Sequence, residues 1–315
     1  MSSKGRRYNR YAEPKLNMKK VLGVIVAILV IVMVIVSIVN VIKNGKDKNK
    51  VKSYSYYTAY ENGKFGVINS DGEIVINPEY SEIIAIPNKD VPIFVCTYDV
   101  NDQDGTYKTK VINQKNEEIF KNYDKVEAID NFDSKQNIWY EDNVLRVQKD
   151  GKYGLINFDG KEILACDYEE IIALKGVTNN LLVKKDGKVG LVNEKGQTII
   201  NTEYKEIKTL KEGYKNEYII VNDNNQYGII STTGTVIIEP KYEDVKYLNN
   251  SELFAVKEAG VWKLVNKDNE ILIDGGYDSI IEAKGENVVV EKGGKYGVVT
   301  TKNEEKIPVE YEEIK

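Results

Sequence analysis

Residues 149–171 read KDGKYGLINFDGKEILACDYEEI, and residues 185–207 read KDGKVGLVNEKGQTIINTEYKEI. Both lines open on a Lys-Asp-Gly-Lys turn, pass through a glycine and an apolar pair, turn again at a second glycine and close on Tyr-x-Glu-Ile. The same pattern occurs at 60–83, 106–126, 224–245, 258–280 and 292–314, so seven copies account for most of the chain after residue 54. Measured from the glycine position (Gly66, Lys110, Gly154, Gly190, Gly228, Lys263, Gly297), the recurring tyrosine follows 14 residues later in six copies and 13 in one.

Two kinds of turn punctuate each copy. Asn62-Gly63, Asp150-Gly151, Asp186-Gly187 and Gly293-Gly294 stand between apolar runs as hairpin dipeptides, which need positive φ at both positions. NSDG, NFDG, NEKG and STTG then close a four-residue loop on a left-handed glycine. In the three divergent copies this glycine is replaced by Asn116, Asn269 and Asn303. Asn is the non-glycine residue that best tolerates left-handed geometry, so the replacements themselves report the backbone. Between the turns lie short runs rich in Val, Ile, Leu and Tyr, of strand length and β-forming composition. Each copy supplies four strands: the run after the tyrosine, an apolar run, the strand holding Tyr-Gly and the strand holding Ile-Val-Ile.

Four strands in 34 to 44 residues is the size of a propeller blade. The repeated region opens at SYSYYTAYENG on a second strand and finishes at YEEIK on a first strand. The fold expected is therefore an all-β repeat domain over 54–315, arranged as a seven-bladed β-propeller in which Tyr311–Lys315 completes the blade begun at Tyr54. An open curved β-repeat array is the alternative. The unit K-D-G-K-aromatic-G-[LV]-[IV]-N-x-x-G-x-[IV]-[IV]-[IL]-x-x-x-Tyr-x-x-[IV] resembles the bacterial WG-type, or KWG, β-repeat family. The name-giving Trp appears once, at Trp262, with Phe65, Tyr153, Val189, Tyr227 and Tyr296 in its place elsewhere. The resemblance implies an interaction module and adds no chemistry.

Ahead of the repeats, residues 21–42 run 22 positions without a charge and span about 33 Å as a helix, enough for a bilayer core. No small-residue cleavage site follows at Asn40-Val41-Ile42-Lys43, which favours a retained transmembrane anchor over a signal peptide. Seven basic residues precede the segment and five follow it. This bias places a short basic tail, 1–20, in the cytoplasm and the repeat domain outside, joined by a polar linker at 43–53. The localisation expected is a single-pass protein of the cell membrane. Residues 1–52 carry 12 Lys or Arg against Glu13 and Asp47, leaving 32 basic and 47 acidic residues, a charge of −15, beyond them. Such a field opposes nucleic acid as a partner and favours cations or basic surfaces.

The chain has no histidine, which removes His-based triads and His-ligated zinc. Cys96 and Cys166 lie in unrelated apolar runs and read as free thiols. No catalytic, cofactor or metal site is expected; DVNDQDG at 99–105 has its glycine displaced and Lys110 where a calcium loop needs Glu, and is a plain turn. The recurring tyrosines read as packing between repeats. Two groups remain as binding candidates. Glu82, Asp124, Glu170, Glu206, Asp244, Asp278 and Glu313 recur beside the tyrosines and would form an acidic ring at one mouth of a propeller channel. Trp139 and Tyr140 stand in a stretch, 127–143, that lengthens the repeat spacing to 44 and shows no strand periodicity; as a loop it would carry a partner contact. The leading functional expectation is a non-catalytic scaffold or receptor for a cell-envelope protein or glycan. The alternative is a glycan-acting enzyme using paired carboxylates, and a third is a cytoplasmic sensor domain.

Overall fold

The computed structural model describes residues 56–86, 92–248 and 253–314; the basic tail, the apolar run at 21–42 and the linker at 43–53 fall outside these. Among the described residues there are strands and no helix, and so no helix long and apolar enough to cross a membrane. The strands form seven antiparallel sheets, one per repeat, spanning 56–80, 82–119, 125–168, 170–204, 206–242, 244–277 and 279–311. In the fourth sheet the strands are Glu170–Ala173, Asn180–Lys185, Lys188–Asn193 and Thr198–Tyr204, hydrogen-bonded in that order. This is the order read from the repeat: the run after the tyrosine first, the Ile-Val-Ile strand last.

The turns adopt the backbone that their residues require. Asn62, Gly63, Asp150, Gly151, Asp186, Gly187, Gly293 and Gly294 all have positive φ, as do Gly72, Gly160, Gly196 and Gly234 and their replacements Asn116, Asn269 and Asn303. The four-residue loops have a further brace. Asn193 Oδ1 accepts hydrogen bonds from the amides of Lys195 and Gln197, at 3.0 and 2.9 Å. Asn69, Asn113, Asn157 and Asn266 do the same in their loops, and Ser231 and Thr300 substitute a hydroxyl. These local bonds satisfy amides that the ladder leaves unpaired.

The conserved spacing within the chain comes from a bulge. In the fourth sheet Val189 pairs with Tyr204 and Leu191 with Ile200, so two residues of one strand face four of the next. The extra residues arch over Gly190, where a Cβ atom would stand 2.7 Å from the Ile200 carbonyl oxygen. Gly66 and Gly154 sit under equivalent arches, with corresponding distances of 2.5 and 2.6 Å. The arch also accommodates Pro78 and Pro240, which have no amide to give to a ladder. The aromatic before the glycine and the recurring tyrosine then meet as direct cross-strand partners: Phe65 with Tyr80, Tyr153 with Tyr168, Tyr227 with Tyr242, Trp262 with Tyr277.

Neighbouring sheets pack face to face through apolar clusters. The first is built from Val67 and Ile76 of one sheet against Ile83, Phe94, Cys96 and Ile112 of the next. Five more clusters of the same construction follow along the chain, the last joining Leu264 and Ile273 of the sixth sheet to Ile280, Val288 and Val290 of the seventh. Six clusters join seven sheets in series. The first sheet has three strands, and among the described residues no strand beyond Tyr311 pairs with it. Completion of that sheet by the chain's last residues, expected for a ring, is absent from the described strands. Cys96 is buried in the first cluster and Cys166 half-buried, both free thiols; burial pushes Cys96 up to about 12.

Gly190→Ala is expected to lower stability by about 1–3 kcal/mol, because the arch must shift to admit a methyl group. Asn116→Gly, at a left-handed position with open geometry, is expected to change it by less than about 0.5 kcal/mol. Denaturant titration of both variants checks the pair; equal small effects would remove the arch as the reason for the glycine.

Candidate functional site

The stretch 127–143 is a correction to the sequence reading. It forms a long hairpin from the strands Lys125–Phe132 and Ile138–Lys149, in which Asn131 pairs with Trp139, Asp130 with Tyr140 and Phe132 with Ile138. The alternation was invisible because polar residues occupy the inward positions: Asn131 is 1% exposed and Glu141 3%. Asp133 closes the tip as the repeat loops are closed, accepting from the amides of Lys135 and Asn137 at 2.9 and 2.8 Å, with Gln136 left-handed.

The buried polar pair fastens this hairpin to the fourth sheet. Asn131 Nδ2 donates to Glu141 Oε1 at 2.7 Å and to the carbonyls of Leu174 and Val177, both at 3.2 Å. Asn131 Oδ1 accepts from the Gly176 amide at 3.0 Å, and the other Glu141 oxygen accepts from the Asn179 amide. The contact extends one sheet further: Glu212 accepts from the Ser134 amide and hydroxyl, at 2.6 and 2.8 Å, and the Gly213 amide donates to Gly176. A second buried polar group ties the base of the hairpin. Arg146 pairs with Glu127 at 2.8 Å and donates to the Ile171 carbonyl at 2.9 Å, while the Tyr107 hydroxyl reaches Glu127 at 2.7 Å from the second sheet. The Glu127 carboxylate and partial burial push Tyr107 up to about 12.

So held, the hairpin presents Ile138, 71% exposed, and Tyr140, 40% exposed, on one face. Trp139 points the other way and is half-buried, its Nε1 shielded from solvent without a hydrogen-bond partner. Burial raises the Tyr140 phenol, and the charges of Glu82 and Asp130 raise it further. Glu82 and Tyr140 are therefore the two sequence-selected candidates that the fold brings into each other's field.

The remaining carboxylates are divided between two tasks. Asp124 and Asp278, directly after their tyrosines, accept hydrogen bonds from the hairpin-turn amides of Asp150 and Gly293 at 2.8 and 2.7 Å. Glu169 and Glu243, at the same repeat position, do this for Gly187 and Gly260. Glu82, Glu170, Glu206, Asp244 and Glu313 stand one residue further on. Glu206 pairs with Lys208 at 3.0 Å, and Asp244 accepts from the Val245 amide at 2.8 Å. Among the described residues no group of three or more Cys, Asp or Glu could hold a metal ion. The sequence did not single out Asn131, Glu141, Glu127 or Arg146; their only mark was polarity in a region read as a loop.

These features define an all-β repeat protein whose exceptional element is one hairpin. Residues 65–91, 190–227 and 227–262 match the family described as WG containing repeat, so WG-type β-repeats are present at three places in the chain. No curated protein matches the chain. Among solved structures, a eukaryotic initiation factor is similar at 10% identity and a TM-score of 0.36, covering 80% of this chain and 72% of its own. Kluyveromyces lactis Hsv2 is similar at 11% identity and a TM-score of 0.27, with 79% and 87% covered. A Bacteroides caccae protein of unknown function is similar at 15% identity and a TM-score of 0.22, with 68% and 92% covered.

Burial dominates the Glu141 carboxyl and raises it above its ordinary 4.5. The folded state therefore binds this proton more readily than the unfolded state, so the group's contribution to stability grows as pH falls from neutral through the raised value and is lost again as pH rises. Thermal unfolding of the parent chain and Glu141→Gln as pH is lowered from 7 is expected to show the parent gaining on the variant. Parallel curves would remove the assignment.

Proposed function

We propose that this chain is a non-catalytic binding scaffold, held at the cell membrane by residues 21–42 with the repeat domain on the outer side, and that the hairpin at 125–149 contacts a cell-envelope protein or glycan. The sheets enter this proposal as the open series, the second of the two arrangements read from the sequence, because the outward faces of the first and seventh sheets are exposed. The observation that carries the reading is the hairpin itself. It departs from the repeat, is fastened by buried Asn131 and Glu141 so that its backbone is set before any partner arrives, and exposes Ile138 and Tyr140. Pre-set loops with exposed aromatic and aliphatic side chains bind at low ordering cost. Acidic Asp130 and Glu82 beside Tyr140 favour a partner surface bearing basic or hydroxyl donors.

A photo-crosslinking amino acid placed at position 140 of the full chain in intact cells is expected to yield a discrete adduct. The same probe at Ile74, 64% exposed on the first sheet, is expected to yield none. External protease on the same cells is expected to remove the repeat domain. Adducts equal at both positions, or a protected repeat domain, would overturn the contact and the orientation respectively.

A further inference from the structure

The two ends of the sheet series carry the two halves of one interface. On the leading side, each sheet after the first inserts a side chain of its second strand into the cluster before it: Phe94, Leu181, Tyr218, Phe254 and Val288 do so in the second, fourth, fifth, sixth and seventh sheets, all buried. The register places Tyr57 at this position in the first sheet, since Tyr57 pairs with Ile68 as Phe94 pairs with Ile112. Tyr57 is 52% exposed. On the trailing side, Ile76, Ile200, Ile238 and Ile273 of the last strands are buried beneath the following sheet. Ile307 takes their place in the seventh sheet, pairing with Val298 as Ile273 pairs with Leu264, and is 38% exposed. Tyr311, the counterpart of buried Tyr80 and Tyr242, is 46% exposed.

We infer that the trailing face of the seventh sheet docks on the leading face of the first sheet of a second copy of this chain, continuing across molecules the packing that joins sheets within one. The occupant follows from the repeat. The residues missing around Ile307 are an aromatic or branched side chain in the Phe94 position, and Tyr57 is the exposed side chain of that position. Among the described strands, Tyr56–Glu61 has no neighbour on its outer side. The run Tyr311-Glu312-Glu313-Ile314 repeats the sequence that forms the first strand of other sheets, as Tyr80-Ser81-Glu82-Ile83 and Tyr168-Glu169-Glu170-Ile171 do. By the register of Ile83 on Cys96, Ile314 falls opposite Ala59 of the partner. The contact is head-to-tail, each copy offering both halves, so association is heterologous and propagates beyond a dimer. Because the faces are open in the single chain, the mate is a second copy, and this inference stands apart from the hairpin's partner and from the anchor.

The test uses full-length chains in their membrane. Two differently tagged copies, one Ile307→Cys and one Tyr57→Cys, are co-expressed and mildly oxidised. A mixed disulfide dimer is expected at about tenfold or more over either self-pair, and Tyr57→Cys with Ile307→Cys in one chain is expected to give a reducible ladder. Adding Val298→Lys, at the partner position of Ile307, is expected to abolish the mixed dimer. A double variant that yields only a monomer with an internal disulfide would show the faces closing on each other as a ring and overturn the inference, as would the absence of any disulfide.

Discussion

The passage of a backbone arch across a glycine is the constraint on which each regular repeat depends. It brings the Ile200 carbonyl to within 2.7 Å of where a Cβ on Gly190 would lie, so a side chain there requires the arch to shift. The arch sets the 14-residue interval to the tyrosine, opposes aromatic and tyrosine across strands, and turns the last strand so that its isoleucine faces the next sheet. Sheet-to-sheet packing thus begins in a backbone irregularity. The apolar faces stabilise the series, at roughly 1.5–3 kcal/mol for each fully buried large aliphatic side chain, but the arch decides which residues form those faces.

The two repeats with lysine in place of the glycine show what the constraint permits. In the sixth sheet Lys263 takes the position with the register shift retained, Trp262 pairing with Tyr277 and Leu264 with Ile273, and the last strand carries Gly275 and Gly276, both at positive φ. Lys263 then pairs with Glu258 and Asp274 at 2.7 and 2.8 Å, and these contacts raise its ammonium. In the second sheet the last strand is only Glu118–Ile119, paired without a register shift, and the chain leaves at left-handed Phe120. Its ammonium lies 5.0 and 5.1 Å from the ring centres of Tyr80 and Tyr98. The arch is thus kept over Lys263, beside two left-handed glycines, and lost beside Lys110.

Much of this was legible in the chain because glycine and asparagine leave few backbone alternatives. The left-handed positions followed from Asn116, Asn269 and Asn303 alone, and strand order followed from the turns. The arch was not legible, since a bulge leaves no residue signal beyond one glycine and a spacing. The hairpin at 125–149 escaped for a different reason. Periodicity detects strands through apolar residues facing inward, and here Asn131, Glu141 and Glu127 face inward, satisfied by each other and by partners from the neighbouring sheets. The seven carboxylates span two adjacent repeat positions that the spacing alone does not separate: Asp124 and Asp278 belong to a column that clips hairpin turns, and the others to the column beside it.

Symmetry also bears on where specificity can lie. A carboxylate that recurs directly after the tyrosine and already accepts an amide, as Asp124, Glu169, Glu243 and Asp278 do, is committed to the framework and offers those sheets the same chemistry. The hairpin is different in kind. Burying Asn131 and Glu141 costs desolvation, and a repeat protein with ample aliphatic packing gains no stability from such a pair that apolar residues would not supply. What the pair supplies is geometry: three contacts donated by Asn131 Nδ2, one bond accepted by its Oδ1 and one accepted by Glu141 from the Asn179 amide fix where Ile138 and Tyr140 stand relative to the fourth sheet. The pair therefore trades stability for a fixed position of the hairpin face.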